Sequence, residues 1–445
     1  MDVILERSRD LKQGLIEFVL EAEGDLAAAL EAYVAAASPS GSNRYDATFE
    51  RNLLIDSFLS EGKVGEKTPL DLFVESQPEL PQSDRDLLSR WGRSFIGLFA
   101  VTQILPDGFE LMNWLSAKHY TVKPNDPITL EDMGRFKVGE ILLTRIAPVT
   151  DSYWMFSGPC RQMGNLGKPK LAVALGNFKD DRKNALYRDA PELLEQAWQS
   201  VEQYHQEFVD FFGSDEVTLP GYQLNKKIAE LQEAMTKRRL AAAGIDESKS
   251  LAEIVEQAGI TEEEMKAAAS EAGADSKAVS QLFEGKGTTK MMMPKVELPE
   301  NLKKAEQITV LTHPRWGQIF LPTYSQFKAI LESEDGQSNP DTEKLIRQYL
   351  KDVTINVFIW HRLAQQYPTQ LEKVLQTVLG RPEFKIDSDL DNLLQEFNKP
   401  LEPDLPEIAS VPVHLHNLFQ EAIVEVNKSQ SKGKGKKKAG KGFSN

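Results

Sequence analysis

One stretch of this chain, Arg93 to Phe178, abandons the helical periodicity found on either side of it, and the rest of the fold has to be built around it. The run SFIGLFAVTQIL (Ser94–Leu105) stops at the turn signal Pro106-Asp107-Gly108. FELMNWL, HYTVK, VGEILLTRIAPV and YWMFS follow, each set off by polar or glycine-bearing residues. Short runs rich in Ile, Val, Phe, Tyr and Trp, punctuated by Pro, Gly, Asp and Asn, are the signature of hairpin-connected strands. The pattern predicts a small five- or six-stranded barrel, SH3-like or OB-like, over residues 93–178.

The flanks predict helices. Leu11, Leu15, Phe18, Ala22, Leu26, Leu30 and Val34 recur near one face over residues 2–37. Further helices are expected at Ala47–Leu59, Leu70–Glu75 and Ser83–Arg90, the last capped by Ser83 or Asp84. Together they make residues 1–92 a helical N-terminal layer. Residues 185–243 read as amphipathic helices, with Trp198, Val201, His205, Phe208 and Phe212 on one stripe. A small acidic helical module is expected at 245–285, a linker at 286–299 that includes Met291–Met293, and a C-terminal helical domain at 300–427. Its helices fall at Tyr324–Leu331, Thr342–Leu350, Ile355–Gln366 and Thr369–Leu379, with Gly380 as a stop. The Lys-rich tail 428–445 has nothing to bury and is expected to be disordered. The fold class is α+β and multidomain, mostly helical, with one small barrel.

Charge narrows the partners. The 445 residues carry a net −15, while Lys428–Asn445 holds seven lysines and no acid, so the remainder carries −15 − 7 = −22. A body this acidic repels phosphate backbones. The barrel stretch is an exception, with nine Lys/Arg against seven Asp/Glu. The single cysteine, Cys160, excludes an intramolecular disulfide and every multi-cysteine metal site. The N-terminus lacks the uninterrupted apolar core of a signal peptide. No apolar run approaches the roughly 20 residues of a membrane helix. A soluble, cytoplasmic protein is expected, stromal in a plastid-bearing host.

Several motifs are approached and missed. Gly158–Lys170 has the Gly-Lys of a phosphate-binding loop, but Gln162 stands where glycine is required and Pro169 where Ser or Thr would hold magnesium. It reads instead as a flexible basic loop. Asp387–Asp391 opens like a calcium loop, but Asn392 and Asn398 occupy its glycine and glutamate positions. Asp387, Ser388 or Asp389 as a helix cap explains the acids better. The helix-glycine-helix at 245–285 has a would-be recognition helix that begins Thr261-Glu262-Glu263-Glu264, which excludes reading DNA. His414 and His416 would share a face of a strand but lack further ligands in the sequence around them. His205 reads as a core histidine. No cofactor and no metal are implied.

The residues left for binding are Tyr153, Trp154, Arg161, Lys168 and Lys170 of the barrel stretch, and Lys432, Lys434, Lys436, Lys437, Lys438 and Lys441 of the tail. Aromatics beside basic residues are what single-stranded RNA binds by stacking and charge. An enzyme reading would gather Arg145, Asp151 and His119 at the barrel mouth.

The segments LDLFVESQPELPQSDRDLLSRW, IGLFAVTQILPDGFELMNWLSAKHYTV and VGEILLTRIAPVTDSYWMFSG, within Pro69–Pro159, resemble a helical-plus-barrel unit of uncharacterised bacterial proteins, some of which end in a SEC-C zinc motif. The cysteines of that ending are missing here, so its zinc is not carried over. The whole chain, especially LPEIASVPVHLHNLFQEA (Leu405–Ala422) and the tail, is similar to soluble cyanobacterial or plastid proteins without assigned activity. The first expectation for function is a non-enzymatic assembly or scaffolding factor that docks other proteins. The second is an RNA- or ribosome-binding protein using the basic loop and the tail.

Overall fold

The computed structural model describes residues 2–37, 44–125, 134–242, 298–333 and 340–419, with 421, 422 and 425. The acidic module expected at 245–285, Met291–Met293, most of the linker and the tail lysines lie outside the described residues. The chain divides into two compact units, Met1–Ala197 with Ser410–Asn445, and Trp198–Ala409.

In the first unit five helices precede the barrel: α1 (Val3–Leu20), α2 (Asp25–Ala37), α3 (Arg44–Glu61), α4 (Pro69–Ser76) and α5 (Gln82–Arg90). The apolar stripe expected to run through residues 2–37 is broken between α1 and α2, where Gly24 takes φ +67°. Asp2 caps α1 by accepting from Leu5 N at 3.1 Å. A Thr68/Asp71 capping box with Pro69 in the first turn starts α4. The cap expected at Ser83 or Asp84 is not formed. Asp84 is buried instead and accepts from Arg7 Nη2 at 2.6 Å.

The barrel comprises β1 (Phe95–Leu105), β2 (Gly108–Asn113), β3 (His119–Lys123), β4 (Ile141–Pro148) and β5 (Trp154–Phe156), with β6 (Arg161–Gly164) added to β4. Its order is β1-β2-β3-β5-β4, closing by a second pairing of β1 with β4. The 11-residue β1 makes this possible: Phe95–Ala100 pairs with β4, and from Phe99 onward the strand pairs with β2 through an irregularity between Val101 and Gln103. β3 and β5 pair in parallel. A five-stranded Greek-key barrel closed in this order is OB-like, not SH3-like. Phe95, Phe99, Phe109, Phe136 and Phe156 fill it.

Alternation then decides what lies outside. β4 sends Leu142 and Ile146 inward, while Ala147 on its opposite face packs beneath helical residues Leu11, Leu15, Phe58 and Leu88. Strand structure ends at Gly164, earlier than expected: residues Lys168–Asp181 form helix α6, with Leu171, Leu175 and Phe178 buried. Helix α7 (Pro191–Phe212) follows, and the division between the two units falls within it.

The second unit holds β7 (Glu216–Leu219), α8 (Gly221–Ala242), α9 (Glu300–Lys303), β8 (Ile308–His313) and β9 (Gly317–Leu321). The three strands form an antiparallel sheet, where the sequence suggests a single extended segment near Thr312–Pro322. Helices α10 (Tyr324–Glu332), α11 (Pro340–Lys351), α12 (Val357–Gln366), α13 (Pro368–Leu379) and α14 (Ile386–Glu396) pack around Trp360, Tyr349 and Phe327. Gly380 ends α13 at φ +65°, a conformation that costs glycine nothing. None of Asp387, Ser388 or Asp389 is the cap of α14: Lys385 is, and Asp389 accepts from its backbone N–H at 2.8 Å. The expected domain 300–427 is divided, because Ser410 onward groups with the first unit. There residues 413–419 are helical, not extended.

Candidate binding cleft at the barrel mouth

A cleft of about 650 Å³ opens at the end of the barrel where β3 and β5 meet. Its existence follows from the strand lengths. β5 has only three residues and pairs with β3 only at Val122 and Lys123. Among the described residues the first half of β3 therefore has β2 on one side and no strand on the other. Trp154 and Tyr120, half-buried, floor the opening: their rings stand edge to face at 5.0 Å, and each lies 5.6 Å from Phe95.

One wall is the turn after α6. Tyr187, 1% exposed, takes φ +56°, which a non-glycine residue holds only when packing enforces it. Two residues on, Asp189 Oδ2 accepts from Asn113 Nδ2 at 2.9 Å, Ser116 Oγ at 2.5 Å and Tyr120 Oη at 2.8 Å. Lys118 Nζ donates to the Asp189 carbonyl at 2.7 Å. Burial, and then the Asp189 carboxylate, push the Tyr120 phenol well above its ordinary value, so it is a hydrogen-bond donor throughout the physiological range.

Charges of both signs line the cleft. Arg93 lies over the Trp154 ring at 5.8 Å and, among the described residues, has no carboxylate partner. Lys118 pairs with Glu192 at 2.8 Å, Arg188 with Glu61, Asp151 with Arg90 at 2.5 Å, and Glu110 accepts from Thr121.

Of the residues singled out from sequence, Trp154, His119 and Asp151 come together here. Tyr153 does not: its hydroxyl donates to Asp2 at 2.9 Å and its ring lies under Lys123 Nζ at 4.2 Å, both serving the seat of α1. Arg161 lies over Phe49 at 4.1 Å and 3.7 Å from Glu50, against α3. Lys168 pairs with Glu421 at 2.9 Å, and Lys170 is exposed in the first turn of α6. The flexible basic loop is thus a strand, a turn and a helix start, with two of its three cations paired.

Arg145, expected at the mouth, is buried on the helical side of β4. Its Nε lies 3.1 Å from Asp56, its Nη2 donates to Ser60 at 2.7 Å, and it also pairs with Glu61. Asp56 further binds Lys12, whose Nζ donates to Ser157 Oγ at 3.0 Å. Burial alone would raise the Asp56 carboxyl, but Lys12 and Arg145 outweigh it and hold the group below its usual range. Burial lowers Lys12 against the pull of Asp56. This network fastens the helical layer to the barrel.

Asp189, Asn113, Ser116 and Tyr120 were missed from sequence because their convergence joins residues about 70 positions apart. The Arg145 network left a trace: a lone arginine inside ILLTRIAPV, and Asp56, Ser57, Ser60 and Glu61 at helical spacing.

The histidines are held singly. His205 Nδ1 is 2.9 Å from Thr312 Oγ1, and His414 donates from Nε2 to the Trp114 carbonyl at 2.8 Å. His416 is exposed one helical position on from the buried Leu415. Among the described residues no three His, Cys, Asp or Glu side chains gather to hold a metal ion. Burial pushes the Cys160 thiol up to about 12, which disfavours the thiolate at neutral pH. No described helix is long and apolar enough to cross a membrane. No family model, no curated protein and no solved structure matches this chain.

Proposed function

We propose that this chain is a non-enzymatic binding protein that docks a protein partner, with the barrel mouth as the docking site. One observation carries the reading: a 650 Å³ cleft floored by Trp154 and walled by a carboxylate fixed by three donors. A rigid aromatic anchor ringed by satisfied polar groups is the arrangement of an interface centre. Lys118, Arg188, Asp151, Glu110 and Asp189 of the lining are engaged in ion pairs or hydrogen bonds that hold position, which favours recognition over proton transfer. The test is panning a random-peptide display library on the immobilised full chain. Peptides should be enriched and then released by Trp154→Ala. Absence of enrichment, or binders indifferent to that substitution, would overturn the reading.

A second reading is single-stranded RNA or ribosome binding. It is favoured by the OB-like strand order, by Trp154 beside Arg93, and by the seven lysines of Lys428–Asn445. Deleting Ser431–Asn445 should lower the salt dependence of affinity for a uridine oligomer, by a slope of about 0.7 for each phosphate the tail had neutralised. An unchanged slope removes the tail from this reading.

A further inference from the structure

We infer that the outer edge of β3 inside the mouth seats an extended polypeptide segment, which adds to the barrel as a short extra strand. The inference rests on the docking reading above and specifies its geometry.

The phase of the β2–β3 ladder decides which backbone groups face the cleft. Asn113 N donates to the Lys118 carbonyl at 2.9 Å, and the register continues as Met112↔His119, Leu111↔Tyr120 and Glu110↔Thr121. In an antiparallel pair alternate residues turn their N–H and C=O toward the neighbour. Lys118 and Tyr120 therefore bond to β2, and His119 and Thr121 turn theirs to the opposite edge. On that edge β5 is reached at Val122 and Lys123, a parallel pairing whose phase takes up the Thr121 carbonyl and leaves open the N–H and C=O of His119 and the N–H of Thr121. The two residues whose main chain is turned outward, His119 and Thr121, both line the cleft.

An exposed strand edge is a template for another chain, and proteins that leave one open at a pocket use it to bind extended peptides. The charges of the lining select this occupant. Arg93, Lys118 and Arg188 stand against Glu110, Asp151 and Asp189. A polyanion or a polycation would meet as much repulsion as attraction there. A peptide main chain, which alternates donors and acceptors and carries no net charge, matches both. Three residues of edge offer roughly 10 Å of pairing. The Trp154 floor lies beside it for one apolar side chain of the incoming segment.

The probe is a synthetic octapeptide taken from the library hits, titrated against the full chain. N-methylation of its amides one at a time should weaken binding at least tenfold at alternate positions and leave the intervening positions unchanged. On binding, the amides of His119 and Thr121 should gain hydrogen-exchange protection. Thr121→Pro removes an outward N–H without breaking a main-chain bond to β2, and should weaken the peptide relative to Thr121→Val, which loses the hydroxyl donated to Glu110 but keeps the N–H, while far-UV circular dichroism stays unchanged. If the octapeptide binds and responds to Trp154→Ala but tolerates every N-methylation, strand addition is overturned and the docking reading stands. If no octapeptide binds, or a uridine oligomer occupies the mouth in its place, both fall.

Discussion

Arg145 Nε lies 3.1 Å from Asp56 Oδ2, with 1% and 6% of the two side chains exposed. A strand of the barrel and a helix of the N-terminal layer are thereby joined through charge in a place water does not reach. Such pairs are costly to form and more costly to break from one side. Asp56→Asn leaves buried Lys12 without a carboxylate and Arg145 with Glu61 as its remaining one, and should lower stability by about 3–5 kcal/mol in urea denaturation. Lys12→Met combined with Asp56→Leu should recover part of that loss, because both desolvated charges then disappear together.

The same pair sets an acid limb. Lys12 and Arg145 hold Asp56 below its ordinary value despite its burial, so its folded value lies under its unfolded one. Its contribution is complete above about pH 4 and is lost as pH falls through the folded value. Stability measured from pH 6 down to pH 2 should fall less steeply in Asp56→Asn than in the parent chain. Equal slopes would mean that Asp56 is not held ionised.

Gly158 shows how tightly this network is packed. A Cβ built there would lie 3.0 Å from Asp56 Oδ2 and 3.1 Å from its Cγ. Gly158→Ala should cost about 1–3 kcal/mol through overpacking. Gly176→Ala is the contrast: its Cβ meets nothing within 4 Å in α6, and helix propensity should make it neutral to about 1 kcal/mol stabilising. Thermal denaturation of the two variants side by side separates crowding from loss of chain flexibility.

What sequence conveyed depended on whether the information was local. Tyr324–Glu332, Val357–Gln366 and Pro368–Leu379 lie within two residues of where apolar spacing and Gly380 placed them. The barrel was legible from Phe95 to Phe156 because its strands are short runs rich in β-branched and aromatic residues and its turns are marked. Residues 168–178 were misassigned because Leu171, Val173 and Leu175 alternate as in a strand and Gly176 discourages a helix. The strand Glu216–Leu219 escaped because its partner, Ile308–His313, lies about 90 residues on. At the mouth, Trp154 was visible as an aromatic beside a turn, whereas Asp189 has a role only through the donors of β2, β3 and their connection.

Asp189 makes that dependence testable. Asp189→Asn places an amide among three donors, leaving at least one without an acceptor, and should cost about 1–3 kcal/mol. The Tyr120 phenol, raised first by burial and next by the Asp189 carboxylate, should titrate at lower pH in this variant. Ring resonances of Tyr120 followed through alkaline pH read this directly. Hydrogen exchange should quicken over Leu186–Ala190, because the wall would then lose part of its side-chain tether to Asn113, Ser116 and Tyr120.

In the second unit Lys399, 2% exposed, donates from Nζ to the carbonyls of Asp352 and Ile355, both at 2.7 Å. It closes the connection between α11 and α12 from outside either helix. Burial lowers its pKa from 10.5 to about 8. The folded chain therefore releases this proton first, and between those two values the unfolded chain binds more protons, so the group's contribution to stability rises with pH. A neutral amine still donates two hydrogen bonds, so both carbonyls stay satisfied as it titrates. Lys399→Met removes both donors; the Asp352 carbonyl keeps the Ile355 N–H at 3.1 Å, so the buried Ile355 carbonyl is the one left unmatched, at about 1–3 kcal/mol. It should also flatten the rise on the alkaline side. A variant that lost stability but kept the alkaline rise would place the titrating group elsewhere.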